Sequence, residues 1–163
     1  MSVTNATLHM LCGKIAAGKS TLSAKLGQAE KTLVISEDRW VEQLYGPELK
    51  TLGDFFERCE RLRRTLAPHV VELLRAGVSV VLDFHANTLG SRAWMRAMFE
   101  EAGASHQLHF LDVPDGVCRV RMHARKAAGG SGVSDAEFDH VTSFFVPPDE
   151  SEGFNVIRYG GGL

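Results

Sequence analysis

From position 13 the chain reads Gly13, Lys14, Ile15, Ala16, Ala17, Gly18, Lys19, Ser20 and Thr21, which fits the P-loop pattern GxxxxGK[ST]. The chemistry of such a run is phosphate binding. Successive backbone N–H groups at a helix N-terminus turn inward onto phosphate oxygens, and the helix dipole adds partial positive charge. Lys19 is then expected to neutralise the β- and γ-phosphates, and Ser20 to offer its hydroxyl to Mg²⁺. Ala16 stands where many such loops carry glycine, which narrows the backbone conformations open to it.

Two acids at strand ends suit the rest of a phosphoryl transfer. The apolar run Val78, Ser79, Val80, Val81, Leu82 ends in Asp83. At the carboxyl edge of a parallel sheet, Asp83 would lie beside the phosphate loop and hold magnesium, directly or through water. An earlier run leads into Ser36, Glu37, Asp38, Arg39 and Trp40. A carboxylate there can position an acceptor hydroxyl and take its proton, and Asp38 rather than Glu37 is the expected general base. Asp38 also suits the N-cap of a short helix beginning near Arg39, a role compatible with catalysis.

Asn87 and Arg92, with Thr88, are candidates for binding the acceptor, and Trp40, Tyr45 and Phe55 for walling its pocket. His85 reads first as a packing or hydrogen-bonding residue. His106 and His109 fall on opposite faces of one predicted strand and make a poor metal pair. Arg121 and Arg125 share one face of a predicted helix and lead into the glycine-rich stretch 127–132. Arginines on such a lid, expected at about 121–134, can stabilise charge on the transferring phosphoryl group while the glycines permit movement. The bland alternative is a solvated cationic helix end, which the dipole favours in any case.

These groups need a scaffold that brings strand ends together. Apolar, β-branched runs predict strands at 7–12, 32–35, 78–82, 106–111 and 155–159, and helical spacing predicts helices at 19–28, 40–45, 91–102, 115–126 and 134–144. The clearest apolar face runs through Phe55, Cys59, Leu62, Leu66, Val70, Leu73 and Leu74, with Pro68 expected to kink or break that helix. Alternating strand and helix is the pattern of an α/β fold with a parallel sheet covered on both faces. The closing glycines 160–162 read as a frayed end.

With 163 residues, 18 Lys plus Arg against 20 Asp plus Glu, and 44% hydrophobic residues, the chain 1–163 is expected to form one globular domain. A formal net charge of -2 supplies no basic field for a long nucleic acid, and a small-molecule acceptor is favoured. Cys12, Cys59 and Cys118 show no paired or zinc-type spacing, which fits a reducing, cytoplasmic setting. No run reaches the ~18 apolar residues of a membrane span, and the N-terminus lacks the basic start of a secretory signal.

Taken together, the residues from Gly13 to Thr21, the run Ile35, Ser36, Glu37, Asp38, the pair Leu82 and Asp83 with Asn87, Thr88, Arg92 and Trp94, and the Arg121 to Gly132 stretch resemble the P-loop kinases related to polynucleotide 5′-kinase, zeta toxin and chloramphenicol phosphotransferase. Many of these relatives carry only the label AAA family ATPase. The resemblance extends to Phe145, Val146, Pro147, Pro148 and to Glu152, Gly153, Phe154, which match the family's loop near adenine. It implies a three-layer fold with a five-stranded parallel sheet of order 2-3-1-4-5, magnesium-ATP as donor, Asp38 as base, and Arg121 and Arg125 as lid arginines. The acceptor stays open, as do the oligomeric state and the choice between ATP and GTP. A regulatory ATP-binding module, or a toxin-like kinase acting through a protein partner, is the alternative to a small-molecule kinase.

Overall fold

The computed structural model describes residues 4–160, so Gly161 and Gly162 of the expected frayed end lie outside the described residues. Five strands, β1 (Thr7–Cys12), β2 (Thr32–Ser36), β3 (Ser79–Asp83), β4 (Ser105–Leu111) and β5 (Val156–Tyr159), form one sheet in the order β2-β3-β1-β4-β5. All neighbouring strands run parallel. The expected 2-3-1-4-5 order is therefore the observed one. Ser36 pairs with Asp83 in register, so the acids that follow β2 and end β3 reach the same carboxyl edge as the loop after β1.

Among the described residues six α-helices cover the sheet: α1 (Lys19–Leu26), α2 (Glu37–Tyr45), α3 (Leu52–Arg75), α4 (Leu89–Ala102), α5 (Asp115–Ala127) and α6 (Asp135–Thr142). Strand side chains alternate between two cores. Leu8, Met10, Val80 and Leu82 pack with Leu62, Leu66 and Met95 from α3 and α4, whereas Leu11, Val81 and Leu111 pack with Leu22, Cys118, Met122 and Phe138. Helix starts are set by side-chain caps: Thr51 and Asp54 form a capping box on α3, Thr88 accepts from Ser91 N on α4, and Ser134 with Glu137 boxes α6.

Pro68 does not break α3, which continues through it for 24 residues. Both Pro68 and Arg64, whose carbonyl loses its partner four residues on, are exposed, so the freed oxygen is open to solvent and the ring lies away from the core.

One polar chain crosses the inner sheet. His9 Nδ1 lies 3.0 Å from His109 Nε2, and His109 Nδ1 lies 2.9 Å from the Tyr159 hydroxyl, linking β1, β4 and β5. His106 points to the other face and stacks on Phe99 at 4.1 Å. Burial lowers His9 and pulls His109 from 6.5 down to about 4. Between those values the unfolded chain binds more protons than the folded one, so stability is full above 6.5 and falls as pH drops toward 4. The slope is up to ~1.4 kcal/mol per pH unit for each histidine. A His9→Phe, His109→Phe double variant is expected to flatten that acid limb in thermal unfolding; an unchanged limb would show that other groups set it.

Candidate active site

The carboxyl edge of the sheet opens into a cleft of about 1340 Å³. Pockets for one drug-sized ligand run ~300–1,000 Å³, so this cleft has room for two substrates. Its floor is the loop between β1 and α1, one wall is α2 with the start of α3, and the opposite wall is the α5–α6 segment.

The loop's shape follows from its small residues. A Cβ on Gly13 would meet Ala17 Cβ at 3.2 Å and Leu111 Cβ at 3.3 Å, and Gly18 takes φ 107° as the chain enters α1. Ala16 also sits in the left-handed region, at φ 63°, a conformation costing an L-residue ~1–2 kcal/mol. Lys19 is buried, and its Nζ donates to Gly13 O at 2.6 Å and Lys14 O at 2.8 Å. Burial pulls its ammonium down to about 8, against the opposing pull of Asp83 and Asp38. Burial holds the Asp83 carboxyl above the ordinary range, against the opposing pull of Lys19 and of the nearby Ser23 and Ser20 hydroxyls.

The two acids after β2 have separate fates. Ser36, not Asp38, caps α2 by accepting from Arg39 N at 3.4 Å, so the helix starts earlier than expected and Asp38 falls in its first turn. Glu37 is 1% exposed and grips Arg63 through two bonds of 2.6 and 2.9 Å. The Arg63 guanidinium in turn lies 5.7 Å from the Phe84 ring and 5.6 Å from the Trp94 ring. Asp38 remains open to the cleft, its side chain 68% exposed. Partial desolvation by the cleft walls raises its carboxyl first, then the charges of Glu37 and Asp83. His85 Nε2 stands 3.9 Å from Asp38 Oδ1, and burial together with Lys19 and Arg63 pushes the imidazole to about 3, so it is neutral.

A family model described as AAA domain matches residues 8–148, from the first strand through the loop before the last. The chain belongs to the AAA domain family. Among solved structures, a candidate kinase from Chloroflexus aurantiacus superposes with a TM-score of 0.78 at 19% identity, covering 98% of this chain and 87% of that one. A sugar kinase from Janibacter follows the same fold, with a TM-score of 0.65 at 17% identity over 98% of this chain and 87% of that one. The APS kinase of Mycobacterium tuberculosis, solved in complex with AMPPNP and APS, gives 0.61 at 19% identity over 99% of this chain and 91% of that one. No curated protein matches the sequence.

In this AAA-domain chain the segment expected as a lid, about 121–134, spans the end of α5 and the turn 128–134 that leads into α6. Arg121 Nη1 donates to Ala17 O at 3.3 Å, and Arg125 lines the cleft close enough to stabilise the Asp38 carboxylate. Ile15, Ala16, Gly18, Ser20 and Thr21 all border the cleft, whereas Lys14 also reaches outward, its Nζ 2.5 Å from Asp115 and 5.4 Å from the Phe145 ring centre.

Two expected acceptor contacts do not fit their places. Arg92 is fully buried, donating to Glu152 at 2.8 and 3.2 Å and to Ala86 O and Val146 O at 2.9 Å each, so it clamps two loops and offers nothing to a ligand. Trp40 follows Asp38 by two positions, which on a helix is the opposite side, and it is absent from the cleft lining. Phe55, with its neighbour Phe56, does line the cleft, while Tyr45 packs on the core. Sequence reasoning missed the Glu37–Arg63 pair; its trace was an arginine one turn after Cys59, beside the apolar face of α3.

Proposed function

We propose that this protein is an ATP-dependent kinase that moves the γ-phosphoryl group to a hydroxyl of a small-molecule acceptor. The observation that carries the reading is the placing of Lys19 in one cleft between two carboxylates, Asp83 and Asp38, both of which act on its charge. A phosphate-binding lysine, an acid suited to a metal and an acid suited to a proton are the parts such a transfer requires. Solved kinases that share this fold support the same reading.

The donor set fits magnesium. Ser20 and Asp83 both line the cleft and both offer oxygen, and burial raises the Asp83 carboxyl. Bound there with nucleotide, the ion would neutralise charge on the β- and γ-phosphates. The chain's own groups do the rest. The loop that follows Gly13 holds the phosphates by backbone N–H groups, Lys19 turns from its loop carbonyls to the phosphate oxygens, and Arg125 from the cleft wall, with Arg121 bonded to the loop at Ala17 O, meets the charge that spreads over the transferring group. Asp38 accepts the acceptor's proton as the new O–P bond forms and the β–γ bridging bond breaks, releasing ADP. A second cavity of about 540 Å³, edged by Phe110, Phe145 and Pro148, suits the base of the nucleotide.

Phe55, Phe56, Leu49 and Leu52 wall the far side of the main cleft, which supports an acceptor with an apolar body over a long nucleic acid. Cys12, Cys59 and Cys118 are all free and buried, in keeping with a reducing compartment such as the cytoplasm. The test is to incubate the protein with magnesium and γ-labelled ATP against nucleosides, nucleic-acid 5′ ends, nucleotide sugars and hydroxylated antibiotics. Label is expected on one class of alcohol and on none with Lys19→Ala. Hydrolysis alone, unaffected by that substitution, would sink the proposal.

A further inference from the structure

Asn87 carries a pair of contacts that an acceptor ligand would not need. Its carboxamide meets the Gly13 backbone from both sides: Oδ1 accepts from Gly13 N at 2.9 Å, and Nδ2 donates to Gly13 O at 2.8 Å. Gly13 is buried, so no water replaces either bond. The same Gly13 oxygen accepts from Lys19 Nζ at 2.6 Å. Asn87 thus shares one carbonyl with the lysine that the phosphate chain must draw away. Its own backbone oxygen accepts from Val146 N at 2.8 Å, which ties the loop after β3 to the loop before β5.

We infer that Asn87 is a positioning residue of the phosphate loop, holding the Gly13 peptide and keeping its carbonyl hydrogen-bonded when Lys19 leaves it for phosphate. This rests on the nucleotide-binding reading and replaces an acceptor contact with a role on the donor side. Without the carboxamide, Gly13 O depends on Lys19 alone, and a buried N–H is left unpaired. Binding phosphate would then strip the carbonyl of its last partner, which opposes release of the lysine. A group that only packed the loop would affect every ligand of the site equally, whereas this one acts through Lys19 and so through the phosphates.

The experiment compares ATP, ADP and adenosine binding, by NMR titration with magnesium, to the full chain and to its Asn87→Ala and Asn87→Ser variants. Affinity for ATP and ADP is expected to fall about tenfold or more in Asn87→Ala and less in Asn87→Ser, with adenosine unchanged. In a Lys19→Ala background the Asn87→Ala loss for ATP should shrink, since the shared partner is already gone. Equal ATP affinity in wild type and both variants overturns the inference, and so does an equal loss for adenosine, which marks general damage. A wild-type chain that binds none of the three instead overturns the nucleotide reading itself.

Discussion

Asp38→Asn is expected to lower kcat for phosphoryl transfer by about 10²–10⁴-fold while ATP affinity changes little, because the amide keeps the shape and loses the basicity of the carboxylate. Glu37 cannot step in: both its oxygens are committed to Arg63 and it is buried. The pH profile supplies an independent check. The folded carboxyl of Asp38 is raised by its cleft and by Glu37 and Asp83, so the base is lost as pH falls through a value above the ordinary carboxylate range. Activity in the wild type should therefore rise with pH along a limb lying higher than a free aspartate's, and Asp38→Asn should abolish that limb. Retained activity with the limb intact would remove Asp38 from the mechanism.

Arg92→Met is expected to cost about 3–5 kcal/mol of stability, the scale of breaking a buried ion pair by removing one partner. The methionine fills much of the space, but the Glu152 carboxylate and the Ala86 and Val146 carbonyls lose the guanidinium donors, and Asp149 N is left as a donor to the carboxylate. Arg92→Lys should rescue little, since an ammonium cannot span a carboxylate fork and two carbonyls at once. For a chain of this size the loss corresponds to roughly 10 °C in Tm, read by thermal unfolding. A shift under about 2 °C would mean that the loops 84–88 and 146–152 hold together without the clamp.

Arg92 also illustrates where the sequence stops informing. An arginine after a strand end beside Asn87 and Thr88 reads equally well as an acceptor ligand or as a clamp, because its partner Glu152 lies 60 residues away and nothing local marks the pairing. Trp40 fails for a different reason. Once Ser36 takes the cap, the helix phase begins earlier and sends the indole away from Asp38. Pro68 fails because exposure, which a local pattern does not fully set, decides whether a lost helix bond costs anything.

The phosphate loop, the alternation of strands and helices and the acid at the end of β3 were readable in the chain because their signals are local, whereas the order of the strands was implied only by the resemblance to P-loop kinases. Two glycines, a lysine and a hydroxyl at fixed spacing dictate a turn into a helix, and period-two and period-3.6 patterns dictate strands and helices that alternate into a parallel sheet. Tertiary structure alone decided which of two adjacent acids stays free, since Arg63 reaches Glu37 from another helix. It likewise decided that Asn87 serves Gly13 across 74 residues of chain. Hydrogen bonds between distant segments depend on how the sheet edge brings loops together, and no spacing along the sequence encodes that geometry.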